Sequence, residues 1–137
     1  MRATLIQGEK DIRFEEVPDP VLREDDDAIV RVVASCVCGS DLWGYRGVSN
    51  PRGRIGHEFV GIVEEVGAGL SKVKVGDFVI APFYVCCGEC VNCVGGYTTS
   101  CLRGSWWGSD DRRGHLADGG QGERVRVPLA DGTLAVV

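Results

Sequence analysis

No uninterrupted apolar run in the 137-residue sequence approaches the ~18–20 residues that span a bilayer, so no membrane helix is expected. The N-terminal stretch MRATLIQGEKDIRFEE also lacks the apolar core of a secretory signal, and the expectation is a soluble, cytoplasmic protein. Excess cationic charge is missing too. The net charge is −5, and no basic stripe is present to neutralise phosphates, which argues against a nucleic-acid partner. The acidic run EDDD (Glu24 to Asp27) reads as a charged turn between strands, with no functional role assigned to it. There is no internal repeat and no low-complexity tract. No G-x-G-x-x-G stands between a strand and a helix, and strands do not alternate with helical patterns, so these residues build no dinucleotide-binding Rossmann unit.

What is present points to a mainly β domain covering residues 1–137. Twenty glycines, five prolines and a predominance of valine among the apolar residues favour short strands joined by turns. A chain of this size buries roughly 68–70% of its unfolded surface, so no metal is needed merely to make a core. MRATLI and DIRFEEV predict a hairpin about QGEK, which the prolines of VPDPVL then interrupt. AIVRVVASC predicts a strand with one buried face, handing over to the irregular loop CGSDLWGYRG. GHEFVGIVEEVGAGL predicts a second such strand turning at VGAG, and KVKVGDFVIAPF a further hairpin through its Gly-Asp turn. SWWGSDDRRGHLADGGQGE reads as a long loop, and ERVRVPLADGTLAVV as a strand, a turn and the start of another strand.

Cysteine is the unusual component. Seven is an odd number, and without a secretory context a disulfide framework is the weaker explanation. Four of the seven lie in CGECVNCVGGYTTSC, where Cys87, Cys90, Cys93 and Cys101 follow C-x2-C-x2-C-x7-C spacing. Four thiolates supply the complete tetrahedral shell that zinc prefers, at about 2.3 Å per bond, and such a closed shell is structural. Gly88, Gly95 and Gly96 relieve crowding in a lobe spanning about residues 86–102. An iron–sulfur cluster and four unmetallated thiols are the alternative readings. Cys86 is surplus to the shell and is expected to be a small packed residue, as is Cys36 in its strand.

Cys38, His57 and Glu58 sit at the two strand-to-loop transitions. Taken singly, a cysteine or histidine of this kind is most often structural. Taken together, CGSDL (Cys38 to Leu42), GHEFVGIVEEVGAGL (Gly56 to Leu70), VGDFV (Val75 to Val79), the cysteine lobe and GGQGERVRVP (Gly119 to Pro128) have a recognisable order and spacing. They resemble the zinc-dependent alcohol dehydrogenases of the medium-chain dehydrogenase/reductase family over nearly the whole sequence.

The resemblance implies a GroES-like irregular β-barrel, the family's catalytic domain, carrying a zinc-binding loop lobe. It makes Cys38 and His57 ligands of a catalytic zinc, with Glu58 a direct or nearby ligand and Asp41 the carboxylate that orients the imidazole. Ser40 resembles the residue that accepts the alcohol proton. Three protein ligands leave one position open, where the cation lowers the pKa of a hydroxyl or polarises a carbonyl. The implied substrate is a small-molecule alcohol, polyol or carbonyl. The coenzyme, NAD or NADP, is implied to bind through a separate domain that this sequence lacks, so the chain alone is expected to be inactive. A homo-oligomer is a further possibility.

Six positions invite comment. Trp43 replaces a histidine that extends the proton relay in many relatives, and Leu70 stands where smaller residues are common, a matter of packing. Phe83 aligns with a pocket-facing position. Trp106 and Trp107 are expected either to line a pocket or, in the favoured reading, to cover the core or an interface. His115 is expected to face solvent. The alternative of another class is a zinc-binding structural or oligomeric scaffold without redox activity. A zinc-free quinone-reductase-like member is disfavoured by the lobe and the GHE motif.

Overall fold

The computed structural model describes residues 1–50 and 53–137. The expected N-terminal hairpin is formed by β1 (Arg2–Gly8) and β2 (Asp11–Glu16), paired antiparallel about a turn in which Lys10 takes a left-handed φ of 58°. The central strands are β3 (Ala28–Ser35), β4 (Phe59–Val66) and β5 (Phe78–Ala81). Four two-residue pieces follow: β6 (Tyr84–Val85), β7 (Ser105–Trp106), β8 (Ser109–Asp110) and β9 (Leu116–Ala117). Strands β10 (Arg124–Val127) and β11 (Ala135–Val136) complete the set. Helical pieces are single turns: α1 (Asp41–Tyr45), α2 (Val91–Val94) and α3 (Ala130–Thr133).

Strands β10, β3, β4, β5 and β11 form, in that order, one antiparallel sheet. Period-two alternation explains its core face. In β4, Phe59, Gly61 and Val63 are buried while Val60, Ile62 and Glu64 are only partly covered. Val30, Val63, Val79, Val125 and Val127 meet in one cluster, against which Leu70 and Trp107 pack. The hairpin closes over this sheet, with Ala3 bridging to Gly122 and Leu5 to Arg54. The result is the irregular β-barrel that the sequence led us to expect.

Some expectations need correction. KVKVGDFVIAPF is not a hairpin, because only Phe78–Ala81 is a strand and it pairs with β4. The Asp131 carboxylate instead takes the backbone N–H groups of Ser71, Lys72 and Val73 at 2.8, 3.0 and 2.9 Å, donors that a ladder would have used. The loop CGSDLWGYRG contains the turn α1.

Cys36 is exposed rather than packed. A register irregularity between Val32 and Ala34 resets the alternation of β3, so the residues after it no longer follow its buried face.

The acidic run departs furthest from a solvated turn. Asp27 is fully buried, and one of its oxygens accepts from the Arg23 and Glu24 backbone N–H groups (2.8 and 3.0 Å) and from Arg126 (2.9 Å). Arg126, itself buried, also donates to Asp111 at 2.9 Å. Asp26 pairs with Arg113 and Arg103, and Glu24 pairs with His115, which is consequently half-buried rather than solvated. The Arg113 guanidinium holds the Asp26 carboxyl below its ordinary value. These arginines lie far along the chain, so the turn's sequence alone could not reveal its partners.

Replacing Asp27 with alanine removes one of the two carboxylates paired with buried Arg126 and leaves two backbone donors unpaired. Urea unfolding of the Asp27→Ala chain should show a loss of about 3–5 kcal/mol. A loss under about 1 kcal/mol, the scale of an exposed pair, would contradict the burial argument.

Candidate metal centres and the adjoining cavity

The lobe is built by short-range geometry. Cys90 is extended immediately before α2, and that turn carries Cys93 back towards Cys87. A 3-10 turn at Thr98–Ser100 then delivers Cys101. The Cys87 and Cys101 sulfurs are 3.5 Å apart, Cys90 and Cys101 3.9 Å, and Cys87 and Cys93 4.0 Å. All four lie within 4.8 Å of one another. Bonds of about 2.3 Å to one tetrahedral ion imply an edge of about 3.8 Å, whereas a disulfide needs about 2.05 Å. The donor set therefore fits a single tetrahedral ion, not a disulfide.

Backbone N–H groups are aimed at these sulfurs, from Cys87 and Arg103 to Cys101 (3.3 and 3.4 Å) and from Cys90 to Cys87 (3.4 Å). Such donors favour thiolate over thiol. The backbone N–H groups of Leu102 and Cys93 hold Cys90 down at about 6, while burial pushes Cys93 up.

Cys86 stays outside the shell as a packed residue, its thiol donating to the Gly132 carbonyl at 3.1 Å. The lobe is anchored to the barrel at the same place. The Cys86 backbone N–H donates to the Thr133 hydroxyl at 3.1 Å, and a Cβ on Gly132 would stand 2.5 Å from the Gly88 nitrogen.

The second cluster is built by strand pairing. Ser35 pairs with Phe59 at the end of the β3–β4 ladder, and the Cys36 N–H donates to the Glu58 carbonyl at 3.2 Å. The chain leaving β3 therefore runs beside the chain entering β4. Cys38, His57 and Glu58 are brought together, each with a ligand-type atom within 4.8 Å of the others. Gly56 makes this approach possible. Its φ is 98°, and a Cβ there would stand 2.7 Å from the Gln121 backbone nitrogen. Residues 54–56 are held by the GGQ segment through Gly119 N–H to Arg54, Gly120 N–H to Gly56 and Gln121 N–H to Ile55 bonds of 2.8–3.0 Å. This accounts physically for the GGQG motif.

Asp41 organises the cluster. One carboxylate oxygen accepts from the Cys38 N–H at 2.9 Å, and the other lies 3.3 Å from His57 Nδ1. An Nδ1–H directed at the carboxylate leaves the lone pair on Nε2, the atom a metal requires. Ser40 Oγ lies 3.2 Å from that Nε2. The Ser40 hydroxyl and N–H, followed by the His57 ring, hold the Cys38 thiol below its ordinary value.

A contact missed at the sequence level is the Cys36 thiol, which lies 2.8 Å from a Glu58 carboxylate oxygen. The carboxylate raises the Cys36 pKa, and the thiol in turn donates to it and helps to place the Glu58 side chain. Its only signal was position, two residues before Cys38.

A cavity of about 470 Å³ opens beside the cluster, lined by Cys38, Ser40, His57 and Glu58 together with Trp43, Phe83, Trp106 and Trp107. Phe83 faces the pocket as expected. Trp107 serves both readings offered for it, packing edge-on against Phe59 (5.3 Å, 70°) while lining the cavity. Trp106 leaves 57% of its surface open, so it is a wall rather than a cover.

Comparison with known proteins agrees with this architecture. Over 143 residues the chain is 41% identical to an uncharacterized zinc-type alcohol dehydrogenase-like protein of Bacillus subtilis, covering 97% of this chain and 38% of that protein. Over 134 residues it is 40% identical to a glutathione-independent formaldehyde dehydrogenase of Pseudomonas aeruginosa, covering 91% and 33% respectively. The alcohol dehydrogenase TADH from Thermus sp. ATN1 superposes with a TM-score of 0.89 at 37% identity, covering 100% of this chain and 40% of that one. The chain thus spans well under half the length of these relatives. The family described as the alcohol dehydrogenase GroES-like domain matches residues 24–135, which takes in β3, both cysteine clusters and the GGQG segment. The barrel and its motifs together establish that the chain belongs to this family, among the zinc-dependent medium-chain alcohol dehydrogenases.

Proposed function

We propose that the chain is the catalytic-domain portion of a zinc-dependent oxidoreductase that interconverts an alcohol or polyol and its carbonyl. Hydride passes to NAD or NADP held by a separate coenzyme domain, so the 137-residue chain is inactive alone. The observation that carries this reading is the convergence of Cys38, His57 and Glu58 at the wall of an open cavity, with Ser40 beside them. A thiolate, an imidazole and a carboxylate are the donor types of a catalytic zinc with a vacant position, whereas the four-sulfur lobe is closed and structural. When bound, zinc supplies Lewis acidity that polarises a carbonyl or acidifies an alcohol.

The residues divide the remaining work. Asp41 orients the His57 ring and fixes its tautomer. Ser40 takes the hydroxyl proton as the substrate C–H hydride departs to the nicotinamide, and returns the proton in the reverse direction. Trp43, an N–H donor only, carries no proton onward, so Ser40 delivers it directly to water. The reduced thiols suit the cytoplasm, and among the described residues no helix is long and apolar enough to cross a membrane.

Metal analysis tests the assignment. The chain should bind two zinc ions. Cys38→Ala should remove one and leave the fold intact, while Cys93→Ala should remove the other and lower stability. Fused to a coenzyme domain of the family, the chain should oxidise alcohols, and Cys38→Ala or His57→Ala should abolish that activity. Zinc held by the lobe alone would favour the scaffold reading instead.

Asp41→Ala should weaken the second zinc by roughly 10–100-fold and leave the lobe zinc untouched, read by competition with a chromophoric chelator. Unchanged affinity would remove Asp41 from its orienting role.

A further inference from the structure

Resting on the zinc-site reading above, we propose that the cavity selects alcohols and carbonyls bearing a bulky, ring-containing apolar substituent, and discriminates against polyols and one-carbon substrates. The sequence contains three tryptophans, and all three line this cavity, together with Phe83. Trp43 and Trp106 leave 58% and 57% of their surface accessible and Phe83 41%, so large ring area faces the space a substrate would occupy.

These walls are held from behind. Trp106 stands edge-on to Tyr84 at 4.9 Å, its cross-strand partner between β6 and β7, and stacks obliquely on Phe83 at 5.8 Å. Trp107 is fixed by the Phe59 ring and by a 2.9 Å bond from its indole N–H to the Pro82 carbonyl. Aromatic surfaces immobilised before binding lose little entropy when a ring settles between them.

Few polar side chains of the described lining are free to meet a substrate. Both Asp41 oxygens are occupied, by Cys38 N–H and by His57. Arg54, the cationic residue of the lining among the described residues, is engaged by Asp118, the Arg124 carbonyl and the Met1 sulfur. Beyond the ligand cluster and Ser40, Ser49 adds one hydroxyl among the described residues. The second and third hydroxyls of a polyol would therefore leave water to face rings. A one-carbon carbonyl would leave those rings uncovered in a cavity of about 470 Å³.

Because every tryptophan lies in the cavity, intrinsic fluorescence of the intact chain reports its occupancy. With cobalt replacing zinc, the part of the thiolate-to-cobalt absorption that is lost in Cys38→Ala, over and above that of the lobe, tests the metal site separately. Benzyl alcohol should perturb the emission saturably with an affinity at least roughly tenfold above that of glycerol or methanol. Trp106→Ala should weaken benzyl alcohol by roughly tenfold while leaving the cobalt band in place. Phe83→Ala serves the same purpose should the tryptophan variant fail to fold. A cobalt band with equal affinities for benzyl alcohol and glycerol would overturn the specificity while sparing the metal site. Absence of the Cys38-dependent band would overturn the zinc-site reading and this assignment with it.

Discussion

The register between β3 and β4 is the constraint on which the second centre depends. An antiparallel pair that ends at Ser35 and Phe59 places the residues just after one strand beside those just before the other. Cys38 and His57 are separated by a loop containing α1, yet they become neighbours because the ladder extends to the Cys36 N–H and Glu58 carbonyl bond. A slip of one residue would turn His57 to the opposite face. The register is secured on the far side by the GGQ segment. Gly120 packs against the Phe59 ring, and Gln121 lies where only a glycine at 56 can pass.

The two cysteine clusters solve opposite problems. The lobe gathers four cysteine sulfurs by local turns and backbone N–H donors, and those sulfurs lie within 4.8 Å of one another. The Cys38 cluster combines three kinds of donor taken from two strand ends and borders a space large enough for a substrate. Four sulfurs are the donor set of a closed structural site, whereas three mixed donors beside a cavity are that of an open one. Attachment of the lobe through Thr133 and Gly132 keeps it on the barrel without involving the cavity.

The acidic turn shows how charge supports this frame. Asp27 and Arg126 are both buried, and Asp111 shares the arginine, so the β2–β3 connection is fastened to β10 and to the loop following β8. Asp26 and Arg103 extend the contacts to the lobe, where Arg103 also pairs with Glu89. Such a network supplies fixed geometry more than net stability, since burying ions is costly even when they are matched.

The strands were legible because the β-branched run AIVRVV and the period-two burial of FVGIVEEV are both written locally, and the lobe because its spacing and chemistry fall within one short loop. Motif resemblance linked Cys38 to His57, but periodicity alone could not, since their proximity is a product of pairing. Exposure of Cys36 depended on a bulge that resets alternation, and burial of Asp27 on arginines far along the chain. The missing KVKV strand depended on a carboxylate some sixty residues away. Sequence by itself determined the β class and the four-sulfur shell, because both arise from neighbours in the chain. Tertiary structure decided the second cluster, the buried charges and the aromatic walls, because each needs groups that only folding brings within a few ångströms.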